Sequence, residues 1–390
     1  MMKLNCEKFV DKYCGIPFIA ILGMFPKSKK MPQNPKKILV VRFVAIGDTL
    51  CLLPTLEKLF EKYTNAEFDI LIKRGNKEVI DCYGKFNNVI VYEKGNYLKL
   101  FKSFRKYDLV IDTEMFMNLS AILSWWLGKY RMGFSNQFRS ILYNLRSKFD
   151  NGKHVVQNYL DFARKLYIDC DDVEKLVSLE VSEKQKNDLV KFFNKNAVKG
   201  DIICLSPISA EGVGRTRMWD RENFSEVAYF YLKKGFTVLL NAAPNEKDFI
   251  NGIIEDVKNM SSKDKINEID VNKLVSVVDV PLMQKFEMFK RCKLVISCDT
   301  GTTHMAAAQG TKTIGLYGPN TPVLWKPYGK DNVGIYHKLS CSPCIINTKG
   351  FVPDCLRTDN RYECMKLITV PEVLKAGNDL LGLTKMKVLD

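Results

Sequence analysis

Residues Val295 to Pro319 read VISCDTGTTHMAAAQGTKTIGLYGP, and this run decides the fold. It parses as a buried strand, a polar turn, a short Ala-rich helix and another strand. A continuous apolar strand joined through a helix to the next strand is the unit of a parallel sheet covered on both faces. The turn holds Asp299, Thr300, Gly301, Thr302, Thr303 and His304, six small or polar residues including one of the chain's three histidines. A helix N-terminus with unpaired amides favours an anion, and Gly301 permits close backbone approach, so the turn is a candidate site for a phosphate-bearing ligand.

The same alternation extends outward in both directions. Lys37–Phe43 (KILVVRF) reads as a strand, Asp48–Tyr63 as a helix, and Phe68–Lys73, Val89–Tyr92 and Asp108–Thr113 as strands with helical stretches between. Arg131–Lys148 reads as less regular, and Val155–Tyr167 and Glu183–Asn194 as helical. A second series follows: Asp201–Ser206, a helix near Arg221–Lys234, Phe236–Asn241, a helix from Glu246, and Lys293–Cys298. Two series of similar size predict two Rossmann-like α/β domains facing each other, with ligands beyond the carboxyl ends of the strands in the cleft. The boundary is expected between Leu179 and Gly200. The chain then divides into an arm over 1–36, a first domain over 37–185 and a second over 186–390.

At 390 residues there is room for two cores. The net charge of +15 favours an anionic partner, whether nucleic acid, an acidic membrane surface or a phosphorylated substrate, or else reflects a lysine-rich surface. Nucleic-acid binding predicts arginines interleaved with aromatics on one element; the lysines here are diffuse, so no nucleic-acid partner is expected. Twelve cysteines are too dilute for a disulfide scaffold and suit a reducing compartment. Ile16–Phe25 (IPFIAILGMF) is too short to span a bilayer. With Lys27, Lys29, Lys30, Lys36 and Lys37 after it, this segment reads as lying in a membrane interface against anionic headgroups, or as an arm loosely packed on the protein's own surface.

Four constellations carry chemistry. In ILVVRFVAIGDTLCLLPTLEKLF (Ile38–Phe60) a Gly47 turn leads to Asp48, which reads either as an N-cap or as a carboxylate kept ionised by the helix dipole and ready to accept a proton. No G-x-G-x-x-G follows either first strand, which disfavours a dinucleotide cofactor. In LSPISAEGVGRTRMWDRENF (Leu205–Phe224), Ser206, Ser209, Thr216 and Arg215 or Arg217 offer donors to phosphate oxygens, or form a solvated loop. In the opening stretch Asp299, being anionic, suits sugar hydroxyls, while His304 suits a phosphate or packs on the next strand. Finally, Cys341, Cys344, Cys355 and Cys364 have a C-x2-C pair followed by two single cysteines. That spacing reads as a structural zinc site, as reduced structural thiols or as a redox-labile pair.

Together and in this order, these blocks resemble glycosyltransferase family 9, the lipopolysaccharide heptosyltransferases, over roughly Lys37 to Gly377. The resemblance implies a GT-B glycosyltransferase fold, with an acceptor-side first domain and a nucleotide-sugar donor domain second. It implies inverting, metal-independent transfer, most simply of heptose from ADP-heptose, to a lipid-linked saccharide of the lipopolysaccharide-core type. The expected place is the cytoplasmic face of the membrane, against an anionic membrane surface. On the matching positions Asp48 is the general base and Asp299 contacts the donor sugar. Thr300, Gly301 and His304 surround the diphosphate, Arg217 neutralises the leaving group, and Glu246 belongs to the nucleotide pocket. Three positions depart from the family pattern: Pro207-Ile208 stands for Pro-Gly, Ala242-Ala243-Pro244 for Gly-Gly-Pro, and Asp220 follows Trp219 in place of proline. These changes leave the donor open, with another nucleotide sugar and a different glycolipid, capsule or protein acceptor as the alternative; a non-catalytic nucleotide-sugar-binding protein is a remote alternative, against which Asp48 together with Asp299 argues.

Overall fold

The run KILVVR forms strand β1 (Lys37–Arg42), buried at every residue but the first. Such a strand carries no polar alternation because neither face meets water. The computed structural model describes residues 2–28, 30–208, 214–264 and 269–383, with the backbone alone for 2–10, 12 and 214. It divides into two units, one running to Val173 with Ile346–Phe351 added, the other Glu174–Ile345 with the residues from Val352 on.

In the first unit β1 pairs in parallel with β2 (Glu67–Ile72) and β4 (Tyr107–Asp112). With β3 (Asn88–Val91), β5 (Gly128–Phe134) and β6 (Leu145–Ser147) the sheet order is β3-β2-β1-β4-β5-β6. Strands β5 and β6 occupy the stretch that reads as irregular in sequence. Arg131 disguises β5; it lies buried, its guanidinium donating to the carbonyls of Leu142 (2.8 Å) and Gly128 (3.0 Å). Gly133 disguises it further: a Cβ there would stand 2.4 Å from the Tyr143 ring, so only glycine fits.

Among the described residues six α-helices belong to this unit: α1 (Met2–Gly23), α2 (Ile46–Lys62), α3 (Lys77–Tyr83), α4 (Tyr97–Lys102), α5 (Asn118–Leu127) and α6 (Val155–Lys165). Helix α1 is docked on α5. The Asp11 carboxylate accepts the amides of Asn118 (3.0 Å) and Leu119 (2.7 Å), first-turn donors of α5 that would otherwise lack partners. Gly15, Ile19 and Leu22, spaced four and three apart, form the buried stripe, and a Cβ at Gly15 would meet that of Asn118 at 2.7 Å. The arm is thus fixed on the protein's own surface along one stripe rather than loosely packed. Among the described residues no helix is long and apolar enough to cross a membrane.

The second unit repeats the plan. Its strands are β7 (Ile202–Ser206), β8 (Thr237–Leu240), β9 (Leu274–Ser276), β10 (Leu294–Cys298), β11 (Lys312–Tyr317) and β12 (Val333–Tyr336), all parallel in the order β12-β11-β10-β7-β8-β9. Helix α7 (Glu183–Lys195) leads into β7, and α8 (Arg221–Lys233), α9 (Lys247–Lys263), α10 (Leu282–Lys290) and α11 (Gly301–Ala308) join successive strands from β7 to β11. The division at Val173/Glu174 lies upstream of the expected Leu179–Gly200 window. Residues after it are tied to the second unit: Gln309 donates to the Leu179 carbonyl at 2.8 Å, and Lys290 pairs with Glu180 at 2.6 Å.

Candidate active site

Asp48 is not an N-cap. Helix α2 starts at Ile46 with Ala45 as its cap residue, which puts Asp48 at the third helical position. The cis bond Val44–Ala45 lies in the turn before it. Beneath Asp48 is Arg42, the last residue of β1, with 1% of its side chain exposed and Nη2 3.0 Å from Asp48 Oδ1. Arg42 Nη1 donates to Tyr159 Oη (2.9 Å) and to the Thr113 carbonyl (2.9 Å), and Tyr159 on α6 donates in turn to Asp48 Oδ1 at 3.4 Å. On the other side of the guanidinium, Glu114 lies 3.7 Å from Nε and accepts the Phe43 and Val44 amides at 2.6 and 3.2 Å. Buried Arg139 anchors the segment after β4, donating to Asp112 and to the Glu114 and Met117 carbonyls.

One cation thus holds two carboxylates, and they differ in access. Glu114 is 1% exposed, whereas Asp48 keeps 19% of its side chain open. Burial pushes the Asp48 carboxyl above its ordinary value, with Arg42, the Ala45 amide and Tyr159 pulling it back. This reverses the sign expected from the helix dipole alone, because desolvation outweighs it. A carboxylate raised in this way is the better proton acceptor near neutral pH. Glu114 is pushed up by burial too, against Arg42 and the Phe43 amide.

In the second unit, parallel pairing of β7 with β10 sets Ser206 beside Ser297. The Ser206 hydroxyl accepts from Asn241 Nδ2 (3.0 Å) and donates to Thr302 Oγ1 (3.4 Å). Thr300 caps α11, its hydroxyl accepting the Thr302 amide at 3.2 Å. Asp299, 4% exposed, accepts from Asn320 Nδ2 at 3.1 Å. Arg217 Nη1 reaches Asp299 twice, 3.3 Å from Oδ2 and 3.2 Å from the carbonyl oxygen. The Nε of Arg217 is buried and has no hydrogen-bond partner among the described residues. Ser206, Arg217, Asp299, Thr300 and Gly301 therefore come together in the second unit.

His304 lies in the first turn of α11, buried, its ring centroid 6.0 Å from that of Trp325. Burial pushes its pKa down to about 4, so the imidazole is neutral at pH 7 and can donate from one nitrogen only. The unfolded chain binds this proton near pH 6.5 and the folded one near 4, so protonation favours unfolding throughout that window. Stability should fall as pH drops from 6.5 towards 4, by up to about 3 kcal/mol from this group. The difference in unfolding free energy between wild type and His304→Gln isolates it: the gap is expected to shift with pH in this range, and parallel profiles would contradict the assignment.

The Glu246 carboxylate accepts the Ala243 amide at 2.8 Å in a local turn. Ser209 lies outside the described residues. Cys341, Cys344, Cys355 and Cys364 are free thiols, with Cys341 exposed and the others half-buried. Cys355 Sγ accepts the Tyr362 amide at 3.2 Å, and burial pushes the Cys364 thiol up to about 11. Among the described residues no group of three or more His, Cys, Asp or Glu side chains is arranged to hold a metal, so the zinc suggested by the spacing has no converging ligand set there.

Several residues of these sites went unassigned in the sequence reading: Arg42, Glu114, Tyr159, Asn241, Asn320 and Lys285. Arg42 carried a signal, since a charged residue inside an apolar strand requires a buried partner. Lys285 donates to the Ala242 carbonyl at 2.8 Å, and burial lowers its pKa against the pull of Cys204, Glu246 and Asp279.

Comparison with known proteins gives a consistent result. The family model described as glycosyltransferase family 9 (heptosyltransferase) matches residues 97–352. Lipooligosaccharide heptosyltransferase 2 of Campylobacter jejuni is 25% identical over 354 residues, covering 86% of this chain and 95% of the relative. Among solved structures, the glycosyl transferase family 9 protein from Veillonella parvula aligns with a TM-score of 0.71 at 19% identity, covering 91% of this chain and all (100%) of that one. The E. coli ADP-heptose lps heptosyltransferase II aligns with a TM-score of 0.65 at 21% identity, covering 90% of this chain and 100% of that one.

Proposed function

The chain belongs to glycosyltransferase family 9 (heptosyltransferase), and from that premise we propose that it transfers heptose from ADP-heptose to a lipid-linked saccharide of the lipopolysaccharide-core type, with inversion and without a metal. It is a glycosyltransferase with the GT-B fold, built of two parallel six-stranded α/β units. The observation that carries the mechanism is Asp48: a carboxylate raised by burial, fixed by Arg42 and Tyr159, and open to solvent on one side.

In the proposed reaction Asp48 takes the proton of the acceptor hydroxyl as that oxygen attacks the anomeric carbon. The bond from this carbon to the β-phosphate oxygen breaks on the opposite face, and ADP leaves with the electron pair. The charge growing on the diphosphate needs donors already in position. The first turn of α11 and the Nε of Arg217, unpartnered among the described residues, are suited to supply them. Asp299, held by Asn320 and Arg217, is an acceptor for sugar hydroxyls. With a lipid-linked acceptor, the proposed place of work is the cytoplasmic face of the membrane.

A second reading, transfer from another nucleotide sugar, is favoured by one observation. Glu246 is bonded to the Ala243 amide, in the Ala-Ala-Pro turn that departs from the family pattern. Thermal stabilisation by ADP, UDP, GDP and TDP, each titrated without added metal, separates the two, since binding to the folded state alone raises the melting temperature by mass action. ADP is expected to stabilise selectively, by about 2.7 kcal/mol at a hundred times its Kd. Selectivity for another nucleotide would replace the donor, and no response to any would remove the diphosphate site from Asp299–His304.

A further inference from the structure

We propose that the outer face of α1 and the neighbouring α4 form one continuous surface that docks on an anionic phospholipid bilayer, an inference that rests on the lipid-linked acceptor for its purpose but not for its test. More than half of the exposed large apolar side chains among the described residues fall within Tyr13–Phe25 and Tyr97–Phe104. Helix α1 spends its 15/19/22 stripe on the protein and leaves Ile16, Phe18 and Ile21 facing out, 41%, 49% and 56% exposed. Monomeric soluble proteins rarely leave such a face uncovered.

Aromatic contacts join the two segments. Phe25, just past α1, packs edge-on against Trp125 at 5.7 Å; Trp125 meets Phe104 at 6.4 Å; Phe104 meets Trp126 at 4.7 Å; and Trp126 stacks on Phe101 at 5.2 Å. Arg105 lies over both Phe104 and Trp125, 5.7 and 5.4 Å from the ring centroids. Such a ridge of aromatic and basic side chains suits the boundary between headgroups and acyl chains, where one end of a side chain is apolar and the other wet.

Charge selects the occupant. No Asp or Glu occurs from Tyr13 to Lys37 or from Lys94 to Lys106, while those two stretches carry five basic residues each. Lys94, Lys99 and Lys102 are exposed and make no ion pair among the described residues. A second copy of the chain docked here would bring like charges together, with no acid to answer them. An anionic bilayer answers the lysines and covers the apolar face in one contact.

The test uses the full chain and sedimentation with vesicles, either of phosphatidylcholine alone or of equal parts phosphatidylcholine and phosphatidylglycerol. Wild type is expected to bind the anionic vesicles and to be released by salt. Ile16→Ser/Phe18→Ser/Ile21→Ser should bind at least about tenfold more weakly. Lys99→Glu/Lys102→Glu should lose about 25-fold or more, at about fivefold per basic residue. All substituted side chains are exposed, so folding is preserved, and transfer to a deacylated, water-soluble acceptor should be unchanged in both variants. Equal vesicle binding by wild type and either variant, or a dimer in solution that the triple substitution dissociates, would overturn the proposal. Vesicle binding that follows this pattern in a protein with no transferase activity would leave the surface standing and remove the function proposed above.

Discussion

Asp48→Asn should lower the rate of sugar transfer by about 10²–10⁴-fold while leaving ADP affinity and melting temperature nearly unchanged. Asparagine keeps the shape of the side chain and an oxygen to accept from Arg42 and Tyr159, which hold Asp48 Oδ1 at 3.0 and 3.4 Å. What it loses is the capacity to take a proton. Stability is little affected because the guanidinium retains Glu114, Thr113 and Tyr159. The pH profile gives an independent check. Because burial raises the Asp48 carboxyl, kcat should fall on acidification with a midpoint above the ordinary aspartate value of about 3.9. A variant that turns over normally would place the base elsewhere, and one that loses ADP affinity in step with rate would make Asp48 a donor-binding group.

Arg42→Met should destabilise the protein by about 3–5 kcal/mol, an effect seen by chemical denaturation. The cost comes from what is left behind: Glu114, 1% exposed, keeps only the Phe43 and Val44 amides, and Asp48 and Tyr159 lose their donor. Adding Glu114→Gln to Arg42→Met removes the unpaired buried charge and should recover most of the loss. If Arg42→Met costs under about 1 kcal/mol, the guanidinium is not what makes the two carboxylates tolerable there. Arg42→Lys tests the fork separately, since an ammonium cannot reach Glu114, Asp48 and Tyr159 at once.

Local pattern made the strands legible. KILVVR and VISC are continuous apolar runs, and each is a central strand of its sheet, because a strand covered on both faces records its burial directly in composition. The same logic hid β5 and β6: Arg131 and Gly133 break the run, and each is explained only by what it packs against, the Leu142 carbonyl eleven residues on for Arg131 and the Tyr143 ring for Gly133. The turn Asp299–His304 stood out because its members are neighbours in sequence; Ser206, Arg217 and Asn320 reach it from elsewhere in the chain. The setting of Asp48 was not. Its partner Arg42 is held by Thr113, 71 residues away, and by Tyr159, 117 residues away, contacts that no spacing rule connects. The N-terminal arm divides in the same way. Its apolar run is plain in sequence, but its docking depends on Asp11 capping a helix 107 residues further on.

The measurement that most directly tests the central claim is product analysis after incubating the protein with ADP-heptose and a lipopolysaccharide-core acceptor in the presence of a chelator. The expected result is a heptosylated product with the anomeric configuration inverted relative to the donor, formed by wild type and not by Asp48→Asn. Retained configuration, dependence on a metal, or equal product from the Asp48→Asn protein would contradict the account.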